Sequence, residues 1–280
     1  MNDPKRRHIH KAGVTDRVLH HLLYTYLYEL FDPTFIYDSY SCRLNKGSHK
    51  GVERLVTFTR KASTNYTKDC WGLQFDVKQF FASADHEILK QLLAKRVSDT
   101  RILMLLSQVI DSFYSPTDRR KGIPLGNLTS QIFANIYLHE LDMYMKHTLK
   151  ARFYIRYADD GIVAMSSREK LEQFIPSIEA FLQKHLLLSL HANKVTIRKL
   201  SWGIDFLGYI VLPHYVLPRT TTKRRLLKRI QTDDASTSTN QMIQSYLGYL
   251  AHAQTYRLRI LVKHMTYRTT TKAWAIIEKR

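Results

Sequence analysis

The residues best suited to chemistry are three carboxylates, Asp76, Asp159 and Asp160. Asp159 and Asp160 lie inside Phe153 to Ser166, FYIRYADDGIVAMS, between two short runs of β-branched and aromatic residues. Such runs favour strands and Asp-Asp-Gly favours a turn, so the stretch predicts a β-hairpin with two acids at its tip. Taken alone, the pair reads as a solvated acidic turn. Adjacent carboxylates repel each other, and a bound cation or a positive side chain relieves that repulsion. Asp76 ends a second alternating run, WGLQFD, with Trp71, Leu73 and Phe75 on one face and Gly72, Gln74 and Asp76 on the other. Taken alone, Asp76 reads as a strand-end residue capping the next helix. If the two segments pair in one sheet, the three carboxylates converge on its open face. A cluster of hard oxygens of that kind can hold two Mg²⁺ ions, whose shells substrate phosphates complete. Two ions roughly 4 Å apart activate a hydroxyl nucleophile and steady a leaving pyrophosphate in an in-line displacement.

Composition indicates the substrate. Lys and Arg number 43 against 24 acidic residues, a formal charge of +19 over 280 residues. Charge of that size repels itself, and a polyanion is its natural partner. No apolar run reaches the roughly 18 residues of a spanning helix, and MNDPKRRHIHK lacks the apolar centre of a signal peptide. The expectation is a cytoplasmic protein with no membrane partner. Cys42 and Cys70 have no C-x-x-C spacing, which points away from a disulfide framework or a zinc site. A 44% hydrophobic content is that of a globular core, and the length suits one large domain or two to three subdomains. A phosphoryl-transfer centre on a strongly cationic chain describes a polymerase.

The remaining segments position this centre. Val18, Leu22, Leu23, Tyr26, Leu27 and Leu30 predict an amphipathic helix capped by Thr15 or Asp16 and stopped by Asp32-Pro33. Residues 43 to 54, RLNKGSHKGVER, predict a basic loop. Residues 86 to 113 read as helical. Lys121 to Gln131, KGIPLGNLTSQ, reads as a loop feeding a long helix with Thr129 or Ser130 as its cap. A helix over 168 to 185, a basic segment at 191 to 199 and an apolar strand from Phe206 to Leu212 follow. From Arg219 the composition shifts to two basic helical runs around a polar linker, Asp233 to Asn240.

The blocks KRRHI, RLNKGSHK, FDVKQFF, IPLGNLTSQIFANIYLHELD, YADD, HANK and DFLGY stand in one order along the chain. In that order they resemble reverse transcriptases over essentially the whole length. LGNLTSQ and SYLGYLAHA are similar to the enzymes of diversity-generating retroelements. Group II intron and retron relatives usually carry a Gln-Gly step and a Ser-Pro where this chain has Leu125-Gly126 and Ser130-Gln131.

The resemblance implies an α+β right-hand polymerase. Fingers would span 1–68, a ferredoxin-like antiparallel palm 69–217 (with a fingers-side loop near 115–125), and a short helical thumb 218–280. It implies that Asp76, Asp159 and Asp160 bind two Mg²⁺, for which Mn²⁺ can substitute. Lys194 would protonate the leaving pyrophosphate or simply contact backbone phosphate. Arg7, Arg43, Phe81, Leu125, Gly126 and Gln131 would surround the incoming dNTP, with the Phe81 ring excluding a ribose 2′-hydroxyl. Phe206, Leu207, Gly208 and Tyr209 would grip the primer, and Lys223, Arg224, Arg225, Lys228 and Arg229 would follow duplex phosphates. Template RNA, nascent cDNA and a small basic accessory protein are the implied partners. Relatives carry an N-terminal extension, so part of the fingers is expected to be missing. The implied function is error-prone, RNA-templated DNA synthesis in a diversity-generating retroelement. The alternatives are a retron-type or phage-defence reverse transcriptase, and a catalytically silent RNA-binding scaffold.

Overall fold

The computed structural model describes residues 10, 12–116, 118–232 and 237–262, with backbone only for 230–232 and 237–240. Two helices come first. Helix α1 (Val14–Phe31) buries Leu23, Leu27 and Phe31, whereas Val18 and Leu22 of the expected stripe are exposed. Its N-cap is Gly13, with no side-chain cap, rather than Thr15 or Asp16, and Asp32-Pro33 ends it in a 3-10 turn as expected. Helix α2 (Ser48–Ala62) buries Val52, Leu55 and Phe58 at spacings of three. The basic segment 43–54 is therefore a loop only as far as Gly47. There a φ of +116°, natural to glycine, turns the chain into the helix.

The centre of the molecule is a four-stranded sheet. Strand β1 (Trp71–Asp76) leads into a short helix α3 (Phe80–Ser83), then α4 (His86–Ala94), α5 (Thr100–Asp111) and α6 (Leu128–Met143). The hairpin β2 (Tyr154–Tyr157) and β3 (Asp160–Met165) follows, then α7 (Arg168–Leu186) and β4 (Thr196–Lys199). The strands lie in the order β2-β3-β1-β4 with every pairing antiparallel. This is the ferredoxin-like order anticipated from sequence, two strand–helix–strand units interleaved. The helix expected over 86–113 is two helices, because Asp99 breaks the run and caps α5 by accepting from the Arg101 amide at 2.8 Å. Asp85 caps α4 in the same way, accepting from the Glu87 and Ile88 amides. At α6 the cap is Asn127, without a side-chain bond; Thr129 instead hydrogen-bonds His20 in the core, and Ser130 is buried. The basic segment at 191–199 supplies the edge strand β4, which the sequence reading missed.

Both sheet faces are covered. On one, Leu73, Phe75, Tyr154 and Val163 pack under α1, α4, α6 and α7. On the other, Ile155, Ile162 and Ala164 meet α2 and a second, three-stranded antiparallel sheet. Each fully buried Leu, Ile or Phe contributes about 1.5–3 kcal/mol, so this double layer holds the active strands rigidly. Gly72 lets the second sheet approach: a Cβ there would stand 2.7 Å from Ile204. Gly161, directly after the two acids, is opposite Phe75, whose ring would lie 2.2 Å from an added Cβ.

The second sheet is β5 (Ile204–Phe206), β6 (Tyr209–Leu212) and β7 (Tyr215–Pro218). A single strand over Phe206 to Leu212 was expected. The chain instead folds back at Leu207-Gly208, with φ of +48° and +92°, the pair of left-handed residues that matches the twist of a tight hairpin. Helices α8 (Thr220–Thr232) and α9 (Thr237–Ala251) close a small core of Leu226, Ile243, Leu250 and Val262. Residues 237–240, expected to be linker, belong to α9. Among the described residues no helix is long and apolar enough to cross a membrane.

Candidate active site

Antiparallel pairing of β1 and β3 sets Asp76 directly opposite Asp160. Asp159 sits in the turn just before, and its carbonyl accepts from the Val77 amide at 3.2 Å. The left-handed Ala158, φ +52°, lets the hairpin reverse within two residues. Asp76 is nearly buried, and its backbone is fixed from the other side by the His191 amide on its carbonyl at 2.8 Å. That bond brings the 3-10 turn Ala192–Lys194 to the site, where the Lys194 ammonium pairs with Asp76 Oδ2 at 2.5 Å.

The electrostatics follow from this crowding. Asp160 faces the open cleft, yet protein packed around its carboxyl desolvates it, and Asp159 and Asp76 add like charge. Together these push its pKa up to about 7. The hydrogen bond to Asp76 holds the Lys194 pKa above the usual lysine range. The site therefore pairs one carboxylate with an ammonium beside a carboxyl whose ionisation its neighbours oppose. Among the described residues no three Asp, Glu, His or Cys side chains close around one point as metal ligands. Lys194 takes the Asp76 oxygen that such a shell would use. The donors still have the chemistry for a hard divalent ion: neighbouring carboxylate oxygens that repel one another, with Asp160 exposed.

Sequence reading missed the element beneath the hairpin. Arg156, on β2, is fully buried and grips Asp142 of α6 through two hydrogen bonds. Its Nη1 donates to Asn135 Oδ1 and the Ala158 carbonyl, and Nη2 donates also to Ser39 Oγ. The same Asp142 accepts from Tyr154. The available signal was a charged residue at an inward position of an apolar strand, YIRY, which must find partners on folding.

The residues expected around a nucleotide lie on several different elements. Phe81 lies on α3, half-buried, edge-to-face with Phe80. Its carbonyl accepts from the Ile123 amide at 2.7 Å, which draws the loop carrying Leu125 and Gly126 alongside α3. The Leu125 carbonyl in turn accepts from the His10 amide at 2.9 Å. Gly126 and Gln131 are exposed at the entry to α6. Arg43 is placed differently from expectation. Its guanidinium bonds Asp32 Oδ1 at 2.6 Å and the carbonyls of Asp32, Ile36 and Ser39, with 7% side-chain exposure. This satisfies it as a clamp on the end of α1, so a triphosphate would have to compete with Asp32. Arg7 lies outside the described residues.

The turn Phe206 to Tyr209 is locked to α9. Tyr249 donates its hydroxyl to the Gly208 carbonyl, and Tyr209 donates to the Tyr249 carbonyl at 2.9 Å while the two rings stack. On α8, Arg224, Arg225, Lys228 and Arg229 are exposed and Lys223 is half-buried.

Comparison with known proteins fits this geometry. The chain is 30% identical over 142 residues to an uncharacterized 91 kDa protein in the cob intron of Schizosaccharomyces pombe, covering 49% of this chain and 17% of that protein. It is 20% identical over 274 residues to the group II intron-encoded protein LtrA of Lactococcus lactis subsp. cremoris, covering 74% and 45%. Against protein YkfC of Escherichia coli the identity is 22% over 241 residues, covering 73% and 63%. The chain thus spans less than two thirds of the length of each of these relatives. In fold it is similar to apo telomerase from Candida tropicalis, with a TM-score of 0.57 at 14% identity over 96% of this chain and 51% of that one. The architecture is accordingly that of a right-hand polymerase. A profile described as reverse transcriptase (RNA-dependent DNA polymerase) matches residues 2–211, three quarters of the sequence, and the chain belongs to that family.

Proposed function

We propose that this chain is an RNA-directed DNA polymerase that extends a primer with dNTPs. The observation that carries the reading is the direct opposition of Asp76 and Asp160 across β1 and β3, with Asp159 in the adjoining β2–β3 turn. Asp76, Asp159 and Asp160 would hold two Mg²⁺ ions. When bound, these supply Lewis acidity to a 3′-hydroxyl and neutralise charge on the leaving pyrophosphate. The protein's own groups do the rest. Lys194, whose ammonium is paired with Asp76, would serve as proton donor to the leaving pyrophosphate. Phe81 walls the sugar, and the Leu125-Gly126 loop covers the base. The hairpin at Leu207-Gly208, pinned by Tyr249, holds the primer end. Residues 1–68, 69–217 and 218–280 act as fingers, palm and thumb, with the α8 cations following the duplex backbone.

The finer reading is mutagenic cDNA synthesis in a diversity-generating retroelement. It is supported by the sequence steps Leu125-Gly126 and Ser130-Gln131, which resemble those of diversity-generating enzymes. Template RNA and a small basic accessory protein are the proposed partners, and the cytoplasm the proposed location. The test is primer extension on an RNA template with Mg²⁺. Asp159→Ala should abolish extension and leave RNA affinity within about twofold, since Asp159 contacts no phosphate without a metal. Wild-type extension by this variant would remove the metal-site assignment.

A further inference from the structure

Away from the carboxylates, a cavity of about 390 Å³ opens between the end of α2, the β6–β7 turn and the residues after α9. Val56, Val216 and Thr57 line it together with Arg60, Asn65, Tyr66, His214, Tyr215 and Gln254. Among the described residues no Asp or Glu lines it. That volume is within the range of small-ligand sites, about 300–1,000 Å³.

The backbone is strained to build this cavity. Thr64, Asn65 and Tyr66 all have left-handed φ, +52°, +58° and +65°, although none is glycine. The turn is held by the Asn65 amide on the Arg60 carbonyl at 2.7 Å and by Ser63, whose Oγ accepts from the Tyr66 amide at 2.9 Å. Across the cavity His214 is also left-handed, φ +69°. Two unrelated turns thus place their rings edge to face, Tyr66 and His214 at 4.6 Å between centroids. Strain of this kind persists where surrounding structure imposes it, and it concentrates at ligand sites. Among the described residues the Arg60 guanidinium, Asn65 amide, Tyr66 hydroxyl and His214 imidazole make no side-chain hydrogen bond.

We propose that this cavity binds a single unpaired nucleotide, as a subsite separate from the polymerase cleft. A base offers a π-face to an aromatic corner and an edge of donors and acceptors to an amide, which can do both. A phosphate takes the guanidinium. The site is remote from the chemistry: Tyr66 precedes the start of β1, and Asp76 ends that strand roughly 17 Å further on. His214 likewise sits at the opposite end of β6 from the Leu207-Gly208 turn. The proposal draws on the polymerase reading only in expecting RNA as the source, and binding is measured without nucleotide transfer.

The experiment uses the full chain with a primer–template duplex already filling the cleft. A fluorescent single-stranded RNA pentamer is titrated by anisotropy, with AMP as a competitor in a second arm. Asn65→Gly keeps the left-handed backbone and removes the amide; Arg60→Gln removes the surface charge. Each should weaken pentamer binding by about tenfold with an unchanged unfolding midpoint. A 4-thiouridine pentamer should crosslink to Tyr66 or Tyr215. AMP competition that disappears in both variants identifies free nucleotide as a second source; pentamer binding without it leaves RNA alone. The proposal is overturned by undetectable binding to the wild type, by wild-type affinity in both variants, or by equal displacement with a poly-glutamate peptide.

Discussion

Arg156 and Asp142 form a fork-to-fork pair in the core, Nε to Oδ1 at 2.8 Å and Nη2 to Oδ2 at 2.7 Å, with 1% and 0% of their side chains exposed. The pair joins β2 to α6 directly beneath the turn that carries Asp159. Removing one member of such a pair leaves an uncompensated buried charge, which costs about 3–5 kcal/mol. Arg156→Ala should therefore destabilise the chain by that amount in urea unfolding. Arg156→Lys should recover only part of it, because an ammonium cannot bridge both carboxylate oxygens and the Ala158 carbonyl at once. A loss below about 1 kcal/mol would show that the pair is dispensable to the hairpin.

The raised pKa of Asp160 gives a stability prediction with a definite sign. Its carboxyl titrates near 7 in the fold against an ordinary value of 3.8, so the folded chain binds the extra proton between those limits. That stabilisation is complete at low pH and is lost as pH rises through about 7. Asp160→Asn should therefore raise the melting temperature at pH 8, and the gain should shrink as pH falls through about 7 and vanish only below 3.8. Since Asp160 faces solvent, an effect on the order of 1 kcal/mol is expected, roughly 2–4 °C for a chain of this size. Mg²⁺ should raise the wild-type midpoint at pH 8 and leave that of the variant nearly unchanged. The reverse pattern would mean that the carboxylates do not repel one another.

Phe81 stands half-buried on α3 beside the loop of Leu125. If its ring excludes a 2′-hydroxyl by contact, Phe81→Ala should raise ribonucleotide incorporation relative to deoxynucleotide by at least about tenfold. Competition between labelled ATP and dATP in primer extension measures the ratio. An unchanged ratio in an extending enzyme would move the gate elsewhere.

Leu125 has no side-chain donor or acceptor to offer a nucleotide, and a neutral hydrogen bond is worth about 1 kcal/mol in selection, roughly fivefold. Leu125→Gln should lower misincorporation opposite template adenine more than opposite the other bases. Sequencing cDNA made by both enzymes from one RNA provides the comparison. Equal error rates opposite adenine would leave Leu125 a packing residue.

The exposed cations of α8 predict steep salt dependence. RNA affinity should fall by about 0.7–0.9 log units per log unit of salt for each phosphate neutralised, and Arg224→Gln with Arg225→Gln should reduce that slope by one to two phosphates' worth. A slope unchanged by the double substitution would place the nucleic acid on another face.

The alternating WGLQFD, the YADD hairpin and the helices α1, α6 and α7 were all legible in the sequence. Periodicity records which side of an element meets the core, and these elements are long or sharply punctuated enough to show it. What each face packs against is not a local property. The register that sets Asp76 opposite Asp160, the capture of Arg43 by Asp32 and the seating of Lys194 on Asp76 all join residues far apart in the chain. Only the folded sheet brings them together. The break at Asp99 and the reversal at Leu207-Gly208 escaped a pattern reading for a related reason. A cap and a left-handed turn each depend on one side chain or one backbone angle, and both left the hydrophobic pattern on either side unbroken.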